Sequence, residues 1–123
     1  MAFCTAVTCM DGRVQLPVNT FLMKRFGVDY VDTITEPGPN AILASCADGR
    51  SVESIMRRVR ISVERHRSMG IAVVGHHDCA GNPALREEQT QQTLEAVRYL
   101  RREFPSVPVI GLWVDETWEV SEI

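Results

Sequence analysis

Two short polar strings, Cys9-Met10-Asp11-Gly12-Arg13 and Gly75-His76-His77-Asp78-Cys79, each follow directly on an apolar run rich in β-branched residues. The runs are Ala6-Val7-Thr8 and Ile71-Ala72-Val73-Val74, which places each string just past the carboxyl end of a strand. One strand end then carries a thiolate, a carboxylate and a guanidinium; the other carries an imidazole and a second thiolate. If the two strands are neighbours in one sheet, Cys9, His76 and Cys79 converge on a point. Two sulfurs and a nitrogen form a borderline-soft set that suits zinc. Three protein donors also leave a fourth tetrahedral position open, which marks a catalytic rather than a structural metal.

The remaining pattern supports such a sheet. Phe3 to Cys9 reads as a buried strand, and Pro17 suits the first turn of a helix that runs to Phe26 and stops at Gly27. Val28 to Thr35 alternates as a second strand. Glu36-Pro37-Gly38-Pro39-Asn40 is the strongest loop signal, with Asn40 as cap of a short helical stretch through Cys46. A long helix opens at Asp48-Gly49-Arg50-Ser51, with Ser51 as its cap. Val52, Ile55, Met56, Val59 and Val63 form its single apolar stripe, and Gly70 ends it. Ile71 to Gly75 is a third strand. Asn82-Pro83 reads as the start of a helical region ending at Phe104-Pro105, polar on nearly all sides from Arg86 to Gln92. Val107 to Val114 is a fourth strand, and Trp118 to Ile123 a candidate fifth, returning antiparallel. Strands alternating with helices imply right-handed crossovers, hence an α/β fold with a mostly parallel sheet and helices on both faces. The strand order expected is 2-1-3-4. Winding then reverses between the first and third strands, where ligands bind in such sheets and where Cys9 and His76 lie.

At 123 residues the chain is expected to be one domain, spanning 1–123. A net charge of −3 argues against a nucleic-acid footprint. The basic clusters, Arg57-Arg58 with Arg60 and Arg101-Arg102, lie in helix-like stretches mixed with Glu and read as solvated faces. The chain opens on a strand-like segment without the charged and apolar regions of a leader, and no apolar run reaches the ~18 residues of a membrane span. A cytoplasmic location is therefore expected, with no membrane partner. A reducing compartment disfavours disulfides among the four cysteines. Cys4 and Cys46 read as small buried hydrophobes.

A zinc ion with an open position lowers the pKa of bound water toward ~7. Asp11 is placed to orient that water, and Arg13 to grip Asp11 through its fork and keep it ionised. Past Cys79, Ala80-Gly81-Asn82-Pro83 brings small residues and a helix amino terminus near the metal, where exposed N–H groups favour an anion. Gly81 is the candidate substrate-binding residue of this stretch. Such a site suits attack by zinc-bound hydroxide on a small neutral electrophile.

Cys9-x-Asp11-x-Arg13 followed by His76-x-x-Cys79, with flanks Cys-Met-Asp-Gly-Arg-Val and Val73-Val74-Gly75-His76, resembles the zinc signature of the β-class carbonic anhydrases. The resemblance implies zinc on Cys9, His76 and Cys79, an Asp11–Arg13 dyad, reversible hydration of carbon dioxide to bicarbonate, and a homodimer or higher homo-oligomer. It also implies that the partner subunit supplies part of the substrate pocket. The chain is expected to depart from the family in lacking an amino-terminal helical extension and in being short, and it reads Thr35-Glu36-Pro37-Gly38-Pro39-Asn40-Ala41 where an Arg-Asn-Ala-Gly stretch is usual. Carbonyl sulfide or carbon disulfide are alternative substrates for the same site. A non-catalytic zinc protein, with Asp11 or His77 in the fourth position, is the reading from another class. His77 and Asp78 are otherwise read as loop residues, and His66 as a helix-end residue favoured by the dipole. Trp113 and Trp118 are read as core or interface residues at an apolar edge.

Overall fold

The computed structural model describes residues 1–123. Its elements in chain order are β1 (Phe3–Cys9), α1 (Gly12–Phe26), β2 (Tyr30–Glu36), α2 (Pro39–Ser45), α3 (Gly49–Arg65), β3 (Ile71–His76), α4 (Arg86–Glu103), β4 (Val109–Val114) and β5 (Val120–Glu122). They form one sheet in the order β2-β1-β3-β4-β5, parallel throughout except for the antiparallel pair of β4 and β5. The expected α/β class and order are observed.

Side chains alternate across the sheet and divide the core in two. Val7, Ile71, Val73 and Val109 face α2, α3 and α4, where Leu43, Ile55, Val59, Val97 and Leu100 meet them. Cys4, Ala6, Ala72, Val74, Leu112 and Val114 face α1 and its Val14, Val18 and Leu22. The stripe on α3 buries as its spacing predicts, with Val52, Ile55, Met56 and Val59 all in the core.

Several boundaries differ from the sequence reading, each for a local reason. α1 begins at Gly12 because Asp11 caps it, accepting from the Arg13 N–H; Pro17 lies inside the helix rather than in its first turn. Asn40 does not cap α2, which starts at Pro39 behind Gly38; its side chain is drawn into the interior instead. Asp48, not Ser51, caps α3, accepting from the Ser51 N–H at 3.3 Å and the Ser51 hydroxyl at 2.8 Å. α4 begins at Arg86, so Asn82-Pro83 is not its start, and the stretch from Arg86 is regular helix. His66 caps the end of α3, but its Nδ1 also lies 2.7 Å from Asp32 and its ring stacks on Phe3 at 4.2 Å.

Gly70 enters β3 against the ring of Phe26. A Cβ there would stand 2.2 Å from a ring carbon. Gly70→Ala is expected to cost about 1–3 kcal/mol by overpacking, read as a lower urea midpoint; an unchanged midpoint would show that Phe26 moves aside freely.

The feature that positions the site is a divergence of strands. β1 pairs with β3 only from Thr5↔Ile71 to Val7↔Val73, whereas β3 stays on β4 as far as His76↔Val114. The carboxyl ends of β1 and β3 therefore part, and the crevice opens where the winding reverses.

Candidate metal centre

Cys9 ends β1, His76 ends β3, and Cys79 lies in the loop beyond. All three are buried, and their donor atoms lie within 4.8 Å of one another. The Cys9 and Cys79 sulfurs are 3.8 Å apart, far beyond the ~2.05 Å of a disulfide. Two sulfurs each ~2.3 Å from one tetrahedral ion stand about 3.8 Å apart.

His76 Nδ1 is 2.7 Å from the His77 carbonyl. A carbonyl only accepts, so Nδ1 carries the hydrogen and Nε2 keeps a free lone pair. Nε2 is buried and has no hydrogen-bond partner. A lone pair of this kind beside two sulfurs is the donor set zinc takes, and these residues fit the ion that the sequence implies. Burial and the neighbouring Cys9 push the Cys79 thiol up, while backbone N–H groups of Asn82 and Gly81 favour its thiolate.

Asp11 is not part of this cluster. Arg13 holds both its oxygens: Nε donates to Oδ1 at 3.1 Å and Nη2 to Oδ2 at 2.7 Å, besides the backbone bond. The Arg13 side-chain bonds, ahead of all other influences, bring the Asp11 carboxyl down to about 2. Arg13 is itself held from two other segments. It donates to the Asp78 carboxylate at 3.3 Å and carbonyl at 3.1 Å, and its guanidinium stacks 4.5 Å over Trp118. Trp118 sits at φ 63°, a left-handed conformation that a bulky side chain rarely adopts. The turn before it is organised by Asp115, whose Oδ1 accepts from the Thr117 N–H at 2.9 Å and the Glu119 N–H at 3.0 Å.

These supports escape the sequence reading. The Asp78 carboxylate bonds Arg13 rather than its own loop, and Trp118 stacks on Arg13. Trp113 is buried, 3% exposed, which bears out the core reading and takes it out of the apolar edge expected at β4 and β5. Gln15, unremarked in the sequence, donates from Nε2 to the carbonyls of Cys9 and Asp11, both at 2.9 Å. Its position four residues after Asp11 on a helix is the available signal.

Gly81 touches the segment after β2. A Cβ on it would lie 2.5 Å from the Pro37 carbonyl carbon, and one on Gly38 2.8 Å from Asn82 Cβ. The two loops thus close on each other beside Cys79, and only glycine permits the approach. With α4 starting at Arg86, no helix amino terminus follows Gly81 directly. Cys4 and Cys46 do not belong to the cluster. Cys4 is buried, and its thiol is raised to about 11 by burial and by Asp32, whereas Cys46 is exposed rather than buried.

The sequence profile of a family described as "putative carbonic anhydrase" matches residues 1–123. No curated protein matches the sequence. Among solved structures, the chain is similar to a carbonic anhydrase from Glaciozyma antarctica (TM-score 0.62, 16% identity, covering 96% of this chain and 80% of that one). It is similar to a carbonic anhydrase from Streptococcus mutans (TM-score 0.60, 18% identity, 97% and 80%). A third likeness is to tetrameric beta-carbonic anhydrases from Sordaria macrospora (TM-score 0.61, 13% identity, 100% and 81%). At these identities the likeness is one of fold.

Proposed function

This chain belongs to the family described as "putative carbonic anhydrase", and we propose that it is a zinc lyase that reversibly hydrates carbon dioxide to bicarbonate. The observation that carries the reading is the convergence of Cys9, His76 and Cys79 with Asp11 turned onto Arg13 and out of the cluster. In this reading residues 1–123 act as one zinc domain, and Cys9, His76 and Cys79 hold the ion. When bound, the ion supplies Lewis acidity that brings the pKa of water toward ~7.

Asp11 does the orienting. Its carboxyl, brought down to about 2 by Arg13, does not store a proton near neutral pH. It is a permanent acceptor that takes a hydrogen bond from the attacking water and turns the oxygen lone pair toward the substrate carbon. Water adds its oxygen to that carbon, one C–O π pair moves onto oxygen, and a proton leaves to solvent. Arg13 keeps Asp11 ionised and prevents it from turning onto the donors. Gly81 enters as a backbone contact for substrate, since its side-chain direction is taken by Pro37.

Oxygen-isotope exchange between labelled carbon dioxide and water tests the reading, with carbonyl sulfide and carbon disulfide run in parallel. Exchange on carbon dioxide supports it; turnover of the sulfur compounds alone changes the substrate; none at all favours a non-catalytic zinc protein.

We also propose a homodimer or larger assembly. The similar beta-carbonic anhydrases from Sordaria macrospora are tetrameric, and Met10, Leu16 and Leu85 of this chain are 62%, 76% and 83% exposed. Sedimentation is expected to give at least twice 13.8 kDa; a monomer at micromolar concentration would refute it. A cytoplasmic place belongs to the same reading, because thiol donors persist in a reducing compartment. No helix is long and apolar enough to cross a membrane.

A further inference from the structure

α4 carries a glutamine where a helix packed on a sheet ordinarily buries an apolar residue. Gln89 is 1% exposed and lies among Asn40, Thr93 and Asn82, all buried. Its Nε2, which carries two hydrogens, faces three carbonyls, those of His76 at 2.9 Å, Ala84 at 3.0 Å and Asn82 at 3.2 Å. Carbonyls only accept, so the amide nitrogen must face them, and Oε1 is left to accept from the His76 N–H and Asn40 Nδ2, both at 3.2 Å.

One carboxamide therefore takes both backbone groups of His76. Their direction explains why they need it. In a parallel ladder successive residues bond to opposite neighbours. The His77 N–H bonds the Val114 carbonyl of β4, which turns the His76 N–H and C=O to the side of β1. There β1 has already parted from β3, since their pairing ends at Val7↔Val73. Unbonded, these buried groups would each carry the cost of lost hydration.

We propose that Gln89 is a positioning residue for the metal donor His76, its carboxamide replacing the strand neighbour that the crevice removes. Asn40 fixes the carboxamide from α2, being itself bonded to Thr93 Oγ1 at 3.1 Å and accepting from Asn82 Nδ2 at 3.1 Å. The crevice can open at the end of β3 while His76 stays as rigidly held as a residue in mid-sheet. This inference rests on the zinc reading above, and its test separates the two.

Zinc affinity is measured by chelator competition for wild type, Gln89→Met and Thr93→Val, at a temperature where circular dichroism shows each metal-free protein folded. Thr93→Val removes a buried acceptor of the same network that makes no hydrogen bond to His76. Gln89→Met is expected to weaken zinc binding about 10–100-fold, the usual cost of losing an outer support of a metal ligand, and Thr93→Val, which reaches His76 only through Asn40 and Gln89, to weaken it far less. Equal affinity in Gln89→Met and wild type, or equal weakening in both variants, overturns the role of Gln89. A wild type that binds no zinc overturns the metal reading instead. Hydrogen exchange in the metal-free wild type decides the matter if Gln89→Met does not fold. The His76 amide is expected to exchange orders of magnitude more slowly than an unprotected loop amide, and exchange at the loop rate overturns the proposal.

Discussion

Cys9→Ser and Cys79→Ser are each expected to lose most of a content of about one zinc ion per chain, and with it all measurable hydration. A serine hydroxyl stays protonated near neutral pH and is a hard donor, so each variant leaves the ion one sulfur and one nitrogen. The two sulfurs are 3.8 Å apart in a buried cluster of three donors. Asp11, two residues beyond Cys9, is held by Arg13 and is not free to stand in. Cys4→Ala and Cys46→Ala are the controls, since neither residue belongs to the cluster. Metal analysis after dialysis reads the result. Full zinc in both serine variants would place the ion elsewhere.

Arg13→Ala is expected to keep the zinc and lose turnover by roughly one to three orders of magnitude, the range for losing an orienting or acid–base group. The substitution removes every guanidinium bond to Asp11 and leaves only the backbone N–H at residue 13 on Oδ1. Asp11 can then turn onto the ion and close its open position. Cobalt substitution makes this visible, because a carboxylate in that position changes the visible absorption. Asp11→Asn is expected to keep the zinc too and to lose activity without the spectral change, having no carboxylate to offer. Unchanged turnover in both variants would reduce the pair to a helix cap, a role Asp11 already fills for α1.

The candidate donors are legible in the sequence because each follows a strand whose apolar run marks its end. The run itself bounds β1 at Phe3–Cys9, as observed, since a strand buried on both faces leaves no ambiguity of period. Helix starts are harder. Asp11 caps α1 and pairs with Arg13 at once, and its chemical reading hides the capping one. Asn82 before Pro83 carries the signature of a helix start, but its side chain bonds Asn40 and Gln92 instead. Tertiary satisfaction of a buried amide prevails over the local preference. Gln89 is invisible for the same reason: in a run polar on nearly all sides, nothing local shows which amide turns inward. Trp118 meets Arg13 only through the β4–β5 turn, a contact set by packing rather than by spacing.

Cys9 and Cys79 are 70 positions apart in the chain, unlike the paired cysteines of a zinc finger, which a single turn brings together. No local hairpin can assemble this donor set, because β1 and β3 must already lie side by side. If the proposed site binds zinc, ion capture is expected to be a late event in folding, and zinc uptake to time the completion of the sheet. A chelator present during refolding should leave the appearance of helices and strands on schedule and withhold only the last step.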